Sequence, residues 1–237
     1  MQNLISRRHA LKLGLAASLV PSFARAAETP VLIELFTSQG CSDCPPADKL
    51  AGELMSQPGL FVVSMNVDYW DYLGWKDTLG KPEYSKRQAD YAKSRGDGEV
   101  YTPQMVINGA AHAVGSNRSA VEGAIATARQ RPLVVPVSVA QSSDKVTVNV
   151  GLASGSGKVF LMALAPKVSV PIGRGENAGA KITYYNVVRK LIMLGDWDGS
   201  AKTLTILKPA GDATQFLAVV QKSEAGEVLG LGSLTIS

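Results

Sequence analysis

The chain has 237 residues, of which 46% are hydrophobic and 19% charged, with a formal net charge of +4. That length suits one large globular domain or two small ones. Four of the 24 basic residues, Arg7, Arg8, Lys12 and Arg25, fall within residues 1–26, where there is no acid. The rest of the chain is formally neutral, so the basic balance does not signal nucleic-acid binding.

Residues 6–12, Ser-Arg-Arg-His-Ala-Leu-Lys, fit a twin-arginine export pattern. An apolar run over 13–20 follows, then Ala24-Arg25-Ala26, a small-x-small cleavage site. The run is too short to span a bilayer, and Pro21 interrupts it. No cysteine follows the cleavage site to carry a lipid. The expectation is an export signal over 1–26 and a periplasmic or secreted protein with no stable membrane anchor.

Residues 31–36 are apolar and β-branched apart from Glu34, which predicts a buried strand. Ala47, Leu50, Ala51, Leu54 and Met55 recur at helical spacing over 45–55. Pro58-Gly59 stops that helix, and 60–67 reads as a second buried strand parallel to the first. A polar helix is expected over 83–93, and strands over 104–108 and 111–115 flank the hairpin dipeptide Asn108-Gly109. A helix over 119–129, capped by Ser116 or Asn117, closes this part.

Beyond Gln130-Arg131-Pro132 the pattern changes to closely spaced strands: 134–140, 145–152, 158–165, 182–194, 202–207, 215–222 and 227–236. That count predicts an antiparallel sandwich of immunoglobulin-like type over 132–237. Residues 173–179, Gly-Arg-Gly-Glu-Asn-Ala-Gly, superficially suggest a phosphate cradle, but no helix opens after them, so a connection packed against the first domain is expected. Arg174, Glu176, Asn177, Asn186 and Arg189 are candidates for stitching the halves together or binding a partner.

The only two cysteines, Cys41 and Cys44, share one segment, Cys41-Ser42-Asp43-Cys44-Pro45-Pro46. Two intervening residues suit either a redox-active disulfide or half of a zinc site. As a structural staple the pair would be poor, because so short a loop removes little unfolded-state entropy. The order β-α-β-α-β-β-α, with the cysteines opening the first helix, is that of a thioredoxin fold, expected over 27–131. In that fold a cis-proline opens the third strand, and Thr102-Pro103 stands where it is expected.

Residues 34–48, 66–75 and 101–104 resemble those of an uncharacterised family of secreted bacterial proteins with a thioredoxin-like domain (domain of unknown function 1223). The likeness extends to 175–179 and 186–189. It implies the fold and no particular substrate.

The expected architecture is therefore an α/β thioredoxin-like domain followed by an all-β immunoglobulin-like sandwich. The expected activity is thiol–disulfide exchange on extracytoplasmic proteins, with protein thiols or disulfides as substrates, a redox partner, and no cofactor. A helix N-terminus favours the thiolate, so Cys41 is the nucleophile and the deeper Cys44 the resolving thiol. Pro103 shapes the substrate side. Asp43 opposes thiolate formation and tunes the couple. Glu34, an acid in an apolar strand, is a candidate proton relay beneath the helix. Tyr69, Trp70, Tyr72, Trp75 and Thr102 are candidates to line a peptide groove, the aromatics equally readable as a satellite core. Two alternatives stand beside this reading. One is a copper- or zinc-binding module using Cys41, Cys44 and His112; the other is a non-catalytic interaction protein with a vestigial cysteine pair.

Overall fold

A computed structural model describes residues 28–236. The expected export signal lies outside the described residues. All seven residues of β1 (Val31–Thr37) are buried, as a strand covered on both faces requires. Its alternation separates two cores. Leu32 and Phe36 pack with Val63, Tyr84 and Tyr91. Val31, Ile33 and Leu35 pack with Ala47, Leu50 and Leu54. Helix α1 (Pro45–Leu54) lies on one face and α2 (Pro82–Arg95) on the other.

Strand β2 (Leu60–Asn66) runs parallel to β1, with Ser64 opposite Leu35. On the other side of β1 lie β3 (Gln104–Ile107) and then β4 (Ala111–Val114), both pairings antiparallel. Asn108 and Gly109, with φ of 47° and 66°, turn the chain between them. Helix α3 (Arg118–Arg129) is capped by the Asn117 side chain, which accepts from the Ala120 N–H at 3.1 Å.

The second half corrects the expected architecture. Its seven strands stand where the sequence places them: β5 (Val137–Ser142), β6 (Lys145–Val150), β7 (Gly157–Pro171), β8 (Lys181–Trp197), β9 (Lys202–Leu207), β10 (Gln215–Gln221) and β11 (Val228–Thr235). They do not form a separate immunoglobulin-like sandwich after a thioredoxin-like α/β domain. Four of them extend the sheet of the first half into one mixed eight-stranded sheet, ordered β11-β10-β7-β8-β2-β1-β3-β4. The described residues are 42% strand and 19% helix, a predominantly β protein.

The junction is β2 against β8, parallel, with Ser64 opposite Val187. There the Ser64 hydroxyl donates to the Tyr185 carbonyl, and the Asn186 amide to the Val62 carbonyl, each at 2.9 Å. The physical reason lies in an edge and a length. Without β8, β2 would carry an unpaired edge, and the β7–β8 hairpin, with strands of 15 and 17 residues, is long enough to cover it. The remaining strands β5, β6 and β9 form a small sheet. Its Val139, Val146 and Val148 pack on Leu161, Phe216 and Ala218 of the large sheet, with Trp197 fully buried between them.

Candidate functional site

The chain leaves β1 at Thr37, crosses a short loop and enters α1 at Pro45, with Cys44 as the N-cap residue. Proline suits that first turn because its missing donor would have no intrahelical partner. Cys41 and Cys44 form a disulfide with Cα atoms 5.4 Å apart. Cys44 is fully buried and Cys41 only 3% exposed. Asp43, between them, is exposed.

The Thr102–Pro103 peptide is cis, at the entrance to β3 where the sequence places it. It abuts the first turn of α1: a Cβ on Gly115 would meet Ala47 Cβ at 3.0 Å and Pro103 Cβ at 3.3 Å. The Trp70 indole donates to the Thr102 hydroxyl at 2.7 Å, and Trp75 donates to Gln39 Oε1 at 2.8 Å. Trp70 also crowds Gly40, where an added Cβ would lie 3.1 Å from its own Cβ. Tyr69 donates to Gln88 at 3.1 Å, and burial pushes its phenol pKa up to about 12. These three aromatics hold the loop in place. Only Tyr72, stacked on Trp70 with centroids 6.4 Å apart, presents a largely open face, at 77% exposure.

Glu34 is not beneath α1. β1 turns it to the α2 face, where Arg87 donates to its Oε1 at 2.7 Å and the Tyr91 hydroxyl donates to its Oε2. Arg87 also reaches Tyr91 and Gln221, both at 2.8 Å, and Gln221 returns a bond to Tyr91 at 2.7 Å. His112 stands on edge strand β4 and engages Tyr101 at 2.8 Å and Asp97 at 3.3 Å. Among the described residues no group of three or more His, Cys, Asp or Glu side chains is placed to hold a metal.

The carboxylate on the cysteine side is Asp48, which sequence reasoning missed. It lies four residues after Cys44, hence on the same helix face, and its N–H donates to the Cys44 carbonyl at 3.1 Å. Asp48 is buried, and neither carboxyl oxygen has a hydrogen-bond partner among the described residues. Burial pushes its pKa well above the ordinary carboxylate range; the nearby Thr37 hydroxyl opposes the shift and the Asp77 charge adds to it. Thr37 Oγ1, Asn66 Oδ1 and the Tyr184 hydroxyl are also buried without partners.

Asp77 differs. Burial raises its pKa, but Gln39, Asn66, Leu79 and Gly80 all donate to it, at 2.7–3.0 Å. The signal for Asp48 was an acid beside Ala47 and Ala51 on the buried side of an amphipathic helix. Tyr184 comes from β8, so no first-half motif could have revealed it.

The glycine-rich connection, residues 172–180 between β7 and β8, folds over the cysteine loop. Asn177 Nδ2 donates to the carbonyls of Gln39 at 3.0 Å and Cys41 at 2.8 Å. Glu176 Oε2 accepts from the Ser42 N–H at 3.2 Å. Arg174 is exposed, and Arg189 pairs with Asp212 at 2.5 Å while its carbonyl accepts from Lys81. A cavity of about 360 Å³, lined in part by Ile107, Ala128, Arg131, Leu133 and Leu229, lies near the start of β1, away from the cysteines.

Protein AGR_C_4864 from Agrobacterium tumefaciens is similar in structure, with a TM-score of 0.77 and 30% identity over 89% of this chain and 96% of that one. HBP35 of Porphyromonas gingivalis is similar in fold alone, with a TM-score of 0.58 and 12% identity over 88% of this chain and 76% of that one. No curated protein matches. Residues 32–221 match the family described as "Protein of unknown function (DUF1223)". The chain therefore belongs to the DUF1223 family.

Proposed function

We propose that the protein is a thiol–disulfide oxidoreductase in which Cys41 exchanges with client cysteines and Cys44 resolves the mixed disulfide. The observation that carries this reading is the Cys41–Cys44 disulfide at the N-terminus of α1, with an unpaired buried carboxyl one turn further on. The first-half order of elements and the cis peptide beside α1 support a thioredoxin-like mode of action for that region. The export pattern of residues 1–26 supports action outside the cytoplasm. Among the described residues no helix is long and apolar enough to cross a membrane.

In the oxidising direction a client thiolate attacks Cys41 Sγ. The Cys41–Cys44 bond breaks, and Cys44 leaves as a thiolate that takes the proton of neutral Asp48. The client's second thiolate then attacks the mixed disulfide and expels Cys41 as a thiolate, which solvent protonates. The client dithiol is oxidised and the cysteine pair reduced, by two electrons. The positive end of the α1 dipole stabilises the departing Cys41 thiolate. Running backwards, ionised Asp48 takes the Cys44 proton, which places the role foreseen for Glu34 on a different residue and a different element.

Cys44→Ser is expected to accumulate mixed disulfides between Cys41 and client proteins in cells, and Cys41→Ser to accumulate none. Equal, empty traps would refute the exchange reading. Asp48→Asn is expected to slow turnover of a dithiol peptide by about 10²-fold and to flatten its pH profile, and an unaltered profile would remove Asp48 from the mechanism.

A further inference from the structure

The backbone of the cysteine loop is bonded by residues from the other half of the chain. Residues 172–180 make a turn braced internally: Ile172 N–H donates to Ala180 O and Gly179 N–H to Ile172 O, each at 2.8 Å, and Ala178 N–H to Gly175 O at 3.1 Å. The turn rests on Trp75. A Cβ on Gly173 would lie 3.0 Å from Trp75 Cζ3, and one on Gly175, whose φ is +79°, 3.2 Å from Trp75 Cβ. Only glycine meets both the contact and the positive φ at position 175 without strain. At the crest, Asn177 donates to Gln39 O and Cys41 O, and Glu176 accepts from Ser42 N–H.

We propose that residues 172–180 form a strap latched over the Cys41–Cys44 disulfide by Glu176 and Asn177, and that a thiol reaches Cys41 only when the latch opens. The proposal rests on the exchange reading for its purpose, and on geometry alone for its existence. Cys41 is only 3% exposed, although its loop and the helix N-terminus lie at the molecular surface beside exposed Ser42 and Asp43. The latch consists of three hydrogen bonds, and most of the strap is exposed, Ile172 being its buried anchor. Little apolar burial opposes lifting the crest, so opening is a local event and not an unfolding of the sheet.

The chemistry of the latch works in the same direction. Glu176 sets a carboxylate against the Ser42 N–H, next to Cys41 at the mouth of α1. An incoming thiolate meets that negative charge, and the N–H is withheld from the sulfur anion that exchange would create. Lifting the strap removes the charge and frees the donor together. Access and sulfur reactivity therefore share one latch, formed by residues more than 130 positions away from the cysteines in the chain.

The test uses a chemical reductant, so it does not depend on any client. The full chain is reduced with a water-soluble phosphine over a range of concentrations, and the new thiols are counted. Asn177→Ala and Glu176→Ala are expected to be reduced about tenfold faster than the parent at low phosphine. Glu176→Gln, which keeps an acceptor oxygen, is expected to fall between the parent and Glu176→Ala. Amide hydrogen exchange gives a second readout: the Ser42 N–H is expected to be protected in the parent and to exchange readily in Glu176→Ala. Equal reduction rates for the parent and both alanine variants, or an unprotected Ser42 N–H in the parent, would overturn the strap. If the strap is confirmed while the client trap stays empty, the exchange reading fails and the latch stands.

Discussion

Two buried carboxylates, Glu34 and Asp48, flank the central sheet on opposite sides and have opposite surroundings. Glu34 faces α2 and accepts from Arg87 and Tyr91, while Gln221 ties both donors together. Asp48 lies on the cysteine side near Thr37, Asp77 and Tyr184, and neither of its carboxyl oxygens has a hydrogen-bond partner among the described residues. An ionised acid can be held in a sheet interior when a guanidinium and a full set of donors meet it. Without them it remains neutral and holds a proton that it can give away. The satisfied cluster joins the two halves of the fold, since Gln221 comes from β10. The unsatisfied one lies one helical turn from Cys44.

The largest effect is expected from Arg87→Ala. It leaves Glu34 buried without its guanidinium partner and is expected to cost about 3–5 kcal/mol in a urea titration. Loss of less than about 1 kcal/mol would mean that the Glu34 side is no better satisfied than the Asp48 side.

Tyr91→Phe and Tyr184→Phe are expected to differ from each other. The first removes a hydroxyl bonded to Glu34, Arg87 and Gln221 and is expected to cost about 1–3 kcal/mol. The second removes a hydroxyl without a partner and is expected to be neutral or slightly stabilising by the same assay. Equal costs would erase the distinction.

The smallest effect is a stability dependence on pH. Because the folded pKa of Asp48 lies above its unfolded value, its neutral form stabilises the fold fully below the ordinary aspartate range. That contribution is lost as pH rises through the raised folded value. Asp48→Asn is expected to remove this decline and to melt higher than the parent at neutral pH, by about 2–4 °C for each kcal/mol recovered. A lower melting temperature would show that Asp48 is ionised and stabilising.

Much of the local structure was legible in the chain. Apolar runs placed β1 and β2, helical spacing placed α1, Asn108-Gly109 placed the β3–β4 turn, and turn residues separated the seven later strands. The Thr102–Pro103 position anticipated the cis peptide. Beyond the parallel β1–β2 pair and the β3–β4 hairpin, neighbour relations were not legible, because a strand's own pattern shows that it has buried faces and not which strand pairs with its edge. The separate sandwich failed on that point, when the β7–β8 hairpin closed the open edge of β2.

The candidate site divides in the same way. Its two cysteines, the proline and the aromatics are local in sequence and carry recognisable chemistry. Glu34 was misplaced because an acid in an apolar strand announces burial without saying which face it takes or what meets it. Asp48 was visible in principle as an acid on the buried side of α1. Glu176 and Asn177 were legible as residues that could join the halves, but their place on the cysteine loop was not, and Tyr184 was not singled out at all, since all three reach the cysteine side only through the hairpin.

The sequence by itself determined the elements, the cysteine pair and the turn into its helix, because spacing and steric preference act over a few residues. The fold alone decided which bonds hold the outer side of the cysteine loop. Those are contacts between segments more than a hundred residues apart, set by sheet pairing and the covering of an edge.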